Sequence, residues 1–272
     1  MPDLQPTRRL SDEIRRIVIE QSWQANVGHI GSSLSIADIL GALYGSALRL
    51  GSGPADDERD RFILSKGHAA LALYAALHAS GNLDADTLAT FCRDGTTLGV
   101  HPEHSLSGVD FSTGSLGQGL SIGVGAALAA RLQGSPRRVF VLVSDAECNA
   151  GALWEAVMFA NHHRLANLVA IVDANGQQAF GYTRDVLDIS PLGKRWSAFG
   201  WDVHELDGHD PIVIAETING LDTTSGPPHV LLAQTVFGKG VSFMEGQIRW
   251  HYWPMSDEEH AQAQAELGQV RS

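Results

Sequence analysis

The sequence predicts an α/β protein with a mostly parallel central sheet flanked by helices on both faces. The clearest evidence is a strand–helix–strand unit, in which the apolar runs 139–144 and 168–172 enclose a helix over 151–164. Unbroken apolar runs are typical of parallel strands that are covered on both faces, and a connection of this length is a right-handed crossover. Two more strands are expected at 201–206 and 229–236, with a helix over 211–220 between them. No repeat, linker or low-complexity tract interrupts the 272 residues, so we expect one domain, 1–272.

The other elements follow from local signals along the chain. Residues 11–50 predict a helix, a Gly/Ser-rich loop at 27–33 and a second helix. Ser11 is the expected N-cap of the first helix, so residues 1–10 form a short arm. The remaining predicted elements are a strand at 61–65, helices at 69–79 and 119–132, and a polar tail at 256–272 that is helical over 256–267.

Composition restricts the function. Asp and Glu number 31 against 19 Lys and Arg, a formal net charge of −12, which argues against a nucleic-acid partner because a phosphate backbone would be repelled. Only two cysteines are present, so a disulfide scaffold is excluded and a reducing cytoplasm is expected. No apolar signal core or membrane-length apolar stretch is visible, so we expect a soluble protein.

Polar side chains follow two neighbouring strands. Asp145 ends the run 139–144, and Asn175 lies 30 positions further on, just after the run 168–172. Ligands of open parallel sheets bind beyond the carboxyl ends of strands. A carboxylate and a carboxamide oxygen side by side suit Mg²⁺ or Ca²⁺ with a phosphate. The alternative is that both residues only cap the following turn and helix.

Several segments together resemble the transketolase family of thiamine-diphosphate enzymes. Ser144-Asp145-Ala146, followed by Asn175, resembles that group's diphosphate-and-metal motif, which usually reads Gly-Asp-Gly, about thirty residues, then Asn. The segments that narrow the match to transketolases are VGHIGSSLSIADILGALY, DRFILSKGHAALALYAAL, VDFSTGSLGQGLSIGVGAALAA and TVFGKGVSFMEGQIRWH. The resemblance runs from about residue 10 to 260 and implies the thiamine-diphosphate-binding fold.

The resemblance implies a set of site residues. The metal ligands would be Asp145, the Asn175 side chain and the backbone carbonyl of Gln177. The cofactor's diphosphate would lie near a loop before a helix N-terminus, where free N–H groups favour anions. The cofactor-binding residues implied are Gly114, Ser115, Leu116, Ser144, Asp145, Ala146, Asn175 and His251.

Four loop histidines match the family's active-site histidines: His29, His68, His101 and His251. They would bind the hydroxyls and carbonyl of a sugar donor and move protons as a C–C bond forms and breaks. The alternative for any single loop histidine is an ordinary surface residue. Glu155 matches a carboxylate at the family's dimer interface, and its alternative is an ordinary polar residue of helix 151–164.

The sequence departs from the family pattern at several positions. Ser144 and Ala146 replace glycines, but they are small and we expect them to keep their N–H donors and the cofactor site. Ala150 stands where a Glu usually joins a carboxylate relay between sites, so we expect the chemistry to be kept without that member of the relay. Tyr252 follows His251 where glycine is common, and an altered substrate pocket is therefore expected.

The largest departure is that no segment resembles the pyrimidine-binding domain of full-length transketolases. The resemblance therefore implies the N-terminal subunit of a split transketolase, which transfers a two-carbon ketol unit from a ketose to an aldehyde-type acceptor. It would act with a separate subunit that carries the pyrimidine-binding domain, as a heterotetramer. The alternatives are a synthase or decarboxylase subunit with an oxoacid donor, and a non-catalytic scaffold that has lost cofactor binding.

Overall fold

Five parallel strands form the centre of the computed structural model, which describes residues 5–53 and 55–269. A two-stranded antiparallel hairpin lies apart from this sheet. In chain order the strands are β1 (Arg61–Leu64), β2 (Val139–Ser144), β3 (Leu168–Ala174), β4 (Gln177–Gln178), β5 (Gly181–Tyr182), β6 (Asp202–Asp207) and β7 (His229–Gln234). The main sheet has the order β1-β2-β3-β7-β6, and all four of its pairings are parallel. The predicted parallel sheet is confirmed.

Helices cover both faces of this sheet. They are α1 (Gln5–Ala25), α2 (Ile30–Ser35), α3 (Ala37–Ala42), α4 (Ala70–Ala79), α5 (Ala85–Leu88), α6 (Gly119–Leu132), α7 (Gly151–His162), α8 (Thr183–Val186), α9 (Leu192–Ala198), α10 (Pro211–Gly220) and α11 (Asp257–Gln269). A π-helical turn, Leu43–Ala47, follows α3, and short 3-10 turns occur at Gly67–Ala69, Ala146–Asn149 and Ile248–His251.

Alternation along the strands separates two apolar cores. Phe140 and Leu142 of β2 belong to the core that also contains α1, α3, α4 and α10. Val141 and Val143 point to the opposite face and belong to the core shared with α6, α7 and α9. Because both faces bury side chains, the central strands are apolar along most of their length, as β2 is from Val139 to Val143.

The N-terminal third differs from the sequence expectation. Ser11 is not an N-cap, because α1 already begins at Gln5 and Ser11 is a buried residue within it. Its Oγ donates to the carbonyl of Thr7, one turn earlier. Residues 5–10 of the expected arm are therefore helical, and residues 1–4 lie outside the described residues. The expected loop 27–33 is also shorter, since α2 begins at Ile30.

The register of the strands places several loops at one edge of the sheet. Ser144 pairs with Asp173, and Asp173 pairs with Ala233 of β7. The residues that follow β2, β3 and β7 therefore meet at the carboxyl edge of the sheet. Within the described part of the chain, no helix combines the length and the apolar character needed to cross a bilayer.

Candidate active site

Asp145 and Asn175 meet at the carboxyl edge, as their positions after β2 and β3 predict. Asp145 Oδ2 accepts a hydrogen bond from Gly176 N at 2.8 Å, so its carboxylate reaches the residue next to Asn175. Asn175 Oδ1 accepts from Gln177 N at 2.9 Å. Gln177 is buried, and its Nε2 donates to the carbonyl of Gly246 at 2.6 Å. The structure thus gathers two side-chain oxygens and the Gln177 backbone in one corner, which we call the oxygen corner.

A buried ion pair lies beneath the oxygen corner. Lys66 Nζ is 2.5 Å from Asp173 Oδ2, and both side chains are fully buried. The same Oδ2 accepts from Ser35 Oγ at 2.8 Å and from Asn175 Nδ2 at 2.8 Å. Because Asp173 holds the amide nitrogen of Asn175, the amide oxygen is fixed in its orientation. Sequence analysis did not identify this pair, whose partners are 107 residues apart.

The Asp145 carboxylate is in an unfavourable environment for a lone negative charge. Burial, and then the nearby Asp173 carboxylate, raises the pKa of Asp145 to about 7. Its Oδ1 accepts from its neighbour, Ala146 N, at 2.8 Å. A divalent cation at this corner would favour the ionised carboxylate.

Glu147 is a second buried carboxylate that sequence analysis did not single out. Its Oε1 accepts from Ser65 Oγ at 2.5 Å and from Gly117 N at 2.8 Å, and its Oε2 accepts from Ser144 N at 2.9 Å. Burial raises its pKa. Glu147 therefore ties the end of β2 to the loop before α6.

Ser144 and Ala146, the two residues that replace glycines, keep their backbone N–H groups, and both N–H groups donate within the chain. The N–H of Ser144 is directed to Glu147, and the N–H of Ala146 is directed to the carboxylate of Asp145. Neither N–H is a free donor in this structure. Ser144 is also buried, at the end of β2 next to Asp145.

The loop of Gly114, Ser115 and Leu116 lies just before α6, as predicted. Ser115 and Leu116 are exposed, and a cavity of about 310 Å³ is lined by this segment, including Gly114 and Ser115. The ring of His101 packs against Gly114, where an added Cβ would lie 3.3 Å from His101 Cδ2. His101 thus lies beside the predicted diphosphate loop, with its residue exposed to solvent.

Three of the four predicted histidines form a cluster. The ring centroids of His29 and His68 are 5.4 Å apart, those of His68 and His251 are 5.5 Å apart, and those of His29 and His251 are 6.0 Å apart. His68 Nε2 is 2.8 Å from Ser32 Oγ. We call His29, His68 and His251 the histidine cluster.

Close backbone contacts assemble this cluster. An added Cβ on Gly28 would lie 2.3 Å from the carbonyl oxygen of Tyr252, so only glycine lets the residue before His29 touch the residue after His251. His29 itself has a φ of 61°, at the N-terminus of α2. The ring of Phe237 stacks on His251 with centroids 5.3 Å apart.

The histidine cluster is held in the neutral state. Burial, followed by the charge of Lys66, lowers the pKa of His68 well below its usual range. Burial and then His29 lower the pKa of His251 to about 4, and burial and then His101 lower that of His29. Neutral imidazoles offer one donor and one acceptor each, which suits hydroxyl and carbonyl groups.

The other predicted residues have less contact with this edge. Glu155 is exposed on α7 and has no polar side-chain partner within residues 5–53 and 55–269. Ala150 packs directly on Gly117, where an added Cβ would lie 2.4 Å from the Ala150 Cβ. Tyr252 donates from its hydroxyl to the carbonyl of Ala179 at 2.9 Å, next to the exposed Trp253.

The donor groups of this edge fit thiamine diphosphate and a divalent cation. The oxygen corner supplies carboxylate and carboxamide oxygens, the donor class that Mg²⁺ and Ca²⁺ take. Buried polar atoms that lack a hydrogen-bond partner among the described residues include His29 Nδ1, His251 Nδ1 and Gln177 Oε1. Buried polar atoms are normally satisfied, so their concentration at this edge is the property expected of a ligand-binding site.

The fold and the carboxyl edge of its sheet are those of an α/β cofactor-binding domain. Residues 7–271 match the family described as transketolase, thiamine diphosphate binding domain, and the chain belongs to this family.

Relatives of similar length carry more specific names. The chain is 39% identical over 260 residues to one of the named subunits of the apulose-4-phosphate transketolase of Phocaeicola vulgatus, covering 95% of this chain and 92% of that protein. It is 40% identical over 256 residues to the 6-deoxy-6-sulfo-D-fructose transketolase subunit SqwG of a Clostridium species, covering 93% of each.

Solved transketolases share the fold. A transketolase variant of Pichia stipitis superposes with a TM-score of 0.89 at 29% identity, covering 97% of this chain and 41% of that one. The transketolase of Campylobacter jejuni gives a TM-score of 0.86 at 28% identity, covering 97% of this chain and 42% of that one. The chain thus spans about two fifths of these longer proteins.

Proposed function

We propose that this chain is the diphosphate-binding subunit of a two-chain transketolase, which transfers a two-carbon ketol unit from a ketose to an aldehyde-type acceptor. The observation that carries the proposal is that Lys66 joins the oxygen corner to the histidine cluster. Its Nζ contacts Asp173 and donates to the carbonyl of Ser32, whose Oγ is 2.8 Å from His68 Nε2. The oxygen corner suits a metal diphosphate, and the histidine cluster suits a polyhydroxylated substrate. Two relatives of nearly the same length are named as transketolase subunits, which supports the two-chain arrangement.

Asp145, the Asn175 side chain and the backbone carbonyl of Gln177 would hold Mg²⁺ or Ca²⁺. Asp173 positions Asn175, and Lys66 balances the Asp173 charge. Gly114, Ser115 and Leu116 would lie along the diphosphate. Thiamine diphosphate, when bound, supplies the nucleophilic carbon that carries the two-carbon unit.

The four histidines would act on the substrate. His29 and His251 each have an unpartnered buried Nδ1, which can bind a sugar oxygen. His68 is oriented by Ser32, and exposed His101 can donate or accept a proton from the open side of the site. Because their environment keeps the clustered rings neutral, each ring can donate one hydrogen bond and accept another from the hydroxyl and carbonyl groups of a sugar.

A partner subunit with the pyrimidine-binding domain would cover the exposed side of this site, in a heterotetramer with two copies of each chain. Large apolar side chains are exposed beside the site, and they would gain most from such a cover. They are Leu116, Phe180, Tyr182, Leu187, Tyr252 and Trp253. We place Glu155 at the contact between the two halves of the assembly. Both cysteines are free thiols, which supports a cytoplasmic location.

The direct experiment mixes the purified chain with thiamine diphosphate, Mg²⁺ and a ketose phosphate donor. The assay is run with and without the product of the neighbouring reading frame, chosen for resemblance to a transketolase pyrimidine domain. We expect ketol transfer only when both chains are present. Robust turnover by the 272-residue chain alone would contradict the two-chain proposal.

Two further outcomes separate the rival functions. If the two-chain enzyme turns over an oxoacid donor and does not turn over any ketose donor, it is a synthase or decarboxylase. A stable two-chain complex without any calorimetric signal for thiamine diphosphate and Mg²⁺ would identify a scaffold.

A further inference from the structure

A second group of potential ligands lies at the opposite, amino edge of the sheet. Asp202 and His204 are two positions apart in β6, so their side chains share one face. His229 begins β7 and pairs directly with Asp202 across the parallel ladder. The strand pairing therefore brings the three side chains together, far along the strands from the oxygen corner.

The three side chains are within coordination range of one another. Asp202 Oδ2 is 3.0 Å from His204 Nε2 and 3.1 Å from His229 Nδ1. One ligand atom from each residue lies within 4.8 Å of the other two. The His229 side chain is 5% exposed and that of Asp202 is 47% exposed, so the group is anchored in the protein and open to solvent on one side.

The hydrogen bonds of His229 indicate which ring nitrogen is free. His229 Nε2 is 2.9 Å from the carbonyl oxygen of Asp222, which can only accept, so Nε2 carries a hydrogen. In the neutral ring Nδ1 then has a lone pair, and this lone pair faces the Asp202 carboxylate. His229 Nδ1 and Asp202 Oδ2 are then two electron-pair acceptors only 3.1 Å apart. Such a pair is stable only with a proton or a metal ion between the two atoms. Histidines that bind metals commonly donate their other N–H to a backbone carbonyl, as His229 does.

We propose that Asp202, His204 and His229 bind one divalent transition-metal ion of the zinc class, with water as the remaining ligand. Two imidazole nitrogens and one carboxylate oxygen are donors that Zn²⁺ favours, whereas Mg²⁺ and Ca²⁺ prefer oxygen ligands alone. The ion would be distinct from the one at the oxygen corner. It would link edge strand β6 to β7 and, through His229, to the segment that contains Asp222, and it would stabilise this edge of the folded chain.

The test is calorimetric titration of tag-free, chelator-treated protein with Zn²⁺ at fixed pH and saturating Mg²⁺. We expect His204→Gln to bind one Zn²⁺ fewer per chain than wild type, and Asp202→Asn to give the same loss. His162→Gln removes an exposed histidine on α7, outside the group, and should keep the wild-type stoichiometry. The comparison between variants subtracts any Zn²⁺ that binds the histidine cluster.

Thermal unfolding supplies an independent readout. Zn²⁺ should raise the melting temperature of wild type and of His162→Gln more than that of His204→Gln. Equal Zn²⁺ stoichiometry in wild type, His204→Gln and Asp202→Asn would overturn the proposal. Ring-nitrogen NMR that finds both nitrogens of His229 protonated in the presence of Zn²⁺ would likewise overturn it, because a proton would then occupy the position of the metal.

Discussion

The two ends of the main sheet both bury polar groups, but they satisfy them differently. At the amino end, Asp60 precedes β1 and is fully buried. It accepts hydrogen bonds from the side chains of Arg49 and Arg138 and from both of their backbone N–H groups. At the carboxyl end, His29 Nδ1, His251 Nδ1 and Gln177 Oε1 are buried without a partner among the described residues.

This difference separates buried polar groups that stabilise the fold from buried polar groups that are available to a ligand. A buried polar group without a partner costs free energy, so a protein retains such groups where a ligand completes them. The Asp60 network is complete within the chain and its role is stability. The oxygen corner and the histidine cluster are incomplete within the chain, which is the property expected of a binding site.

Among single substitutions, the largest expected effect is the loss of activity when His101, at the carboxyl end of the sheet, is replaced. His101→Ala should lower kcat of the two-chain enzyme by about 10²–10⁴-fold, the contribution of one positioned acid–base group. The affinity for thiamine diphosphate should change little, because His101 would act on substrate. Steady-state kinetics and calorimetry on the same preparation measure both, with His162→Ala as the control. Full activity after replacement of all four histidines would refute their role.

A substitution in the Asp60 network, at the amino end of the sheet, should change the stability of the fold and leave ligand binding intact. Asp60→Asn should lower the free energy of unfolding by about 3–5 kcal/mol, because Arg138 stays buried without its counter-charge. Urea denaturation measures the change. The matched control is Asp57→Asn. The Asp57 side chain is 95% exposed and lies 3.9 Å from Arg61, so its replacement should change the free energy by no more than about 1 kcal/mol. Equal effects of the two substitutions would remove the distinction between this network and ordinary surface charges.

Asp173 is a buried charge with a partner inside the chain, but it also orients a residue of the oxygen corner. Asp173→Asn should weaken Mg²⁺ binding in the two-chain complex by about 10–100-fold, since the partner that orients Asn175 is altered. It should also lower stability, because fully buried Lys66 loses its counter-charge, so Mg²⁺ binding is measured where the variant is still folded. Ser35→Ala deletes another hydrogen bond to the same Asp173 oxygen but leaves the contact with Asn175 intact. Mg²⁺ titration of both variants tests this, and an equal loss in the two would assign Asp173 a purely structural role.

Per pH unit, the smallest expected effect is in the pH dependence of stability. The pKa of His251 is about 4 in the folded chain and about 6.5 when unfolded, so the unfolded state takes up a proton first as the pH falls. The contribution of neutral His251 is present above about pH 6.5 and is lost towards pH 4, at up to about 1.4 kcal/mol per pH unit. His251→Phe should flatten this slope in urea denaturation. An unchanged slope would contradict the burial of a neutral ring.

The pattern of apolar residues predicted the parallel sheet, because a short apolar run, a helix and a second apolar run are all visible within about 35 consecutive residues. It also predicted that Asp145 and Asn175 would meet, since both follow adjacent strands. Ser11 misled because its cap signal lies inside a helix that already begins at Gln5, with Pro6 in its first turn.

The remainder of the site depends on tertiary contacts. No local pattern pairs Lys66 with Asp173, or Glu147 with Gly117, because these partners meet only when the loops pack together. The N–H of Ser144 donates to buried Glu147 for the same reason. The small size of Ser144 alone does not predict this hydrogen bond. The meeting of three histidines was expected only from family resemblance, and the structure adds the Gly28 contact that assembles them.

The most direct measurement compares Asp145→Ala with Asp60→Asn in the two-chain complex, by calorimetric titration with thiamine diphosphate at saturating Mg²⁺. We expect Asp145→Ala to remain folded, with an unchanged circular dichroism spectrum, and to lose Mg²⁺-dependent binding. We expect Asp60→Asn to bind with wild-type affinity at a temperature where it is still folded, despite its lower stability. Undiminished Mg²⁺-dependent binding by Asp145→Ala would contradict the assignment of the oxygen corner as the metal–diphosphate site.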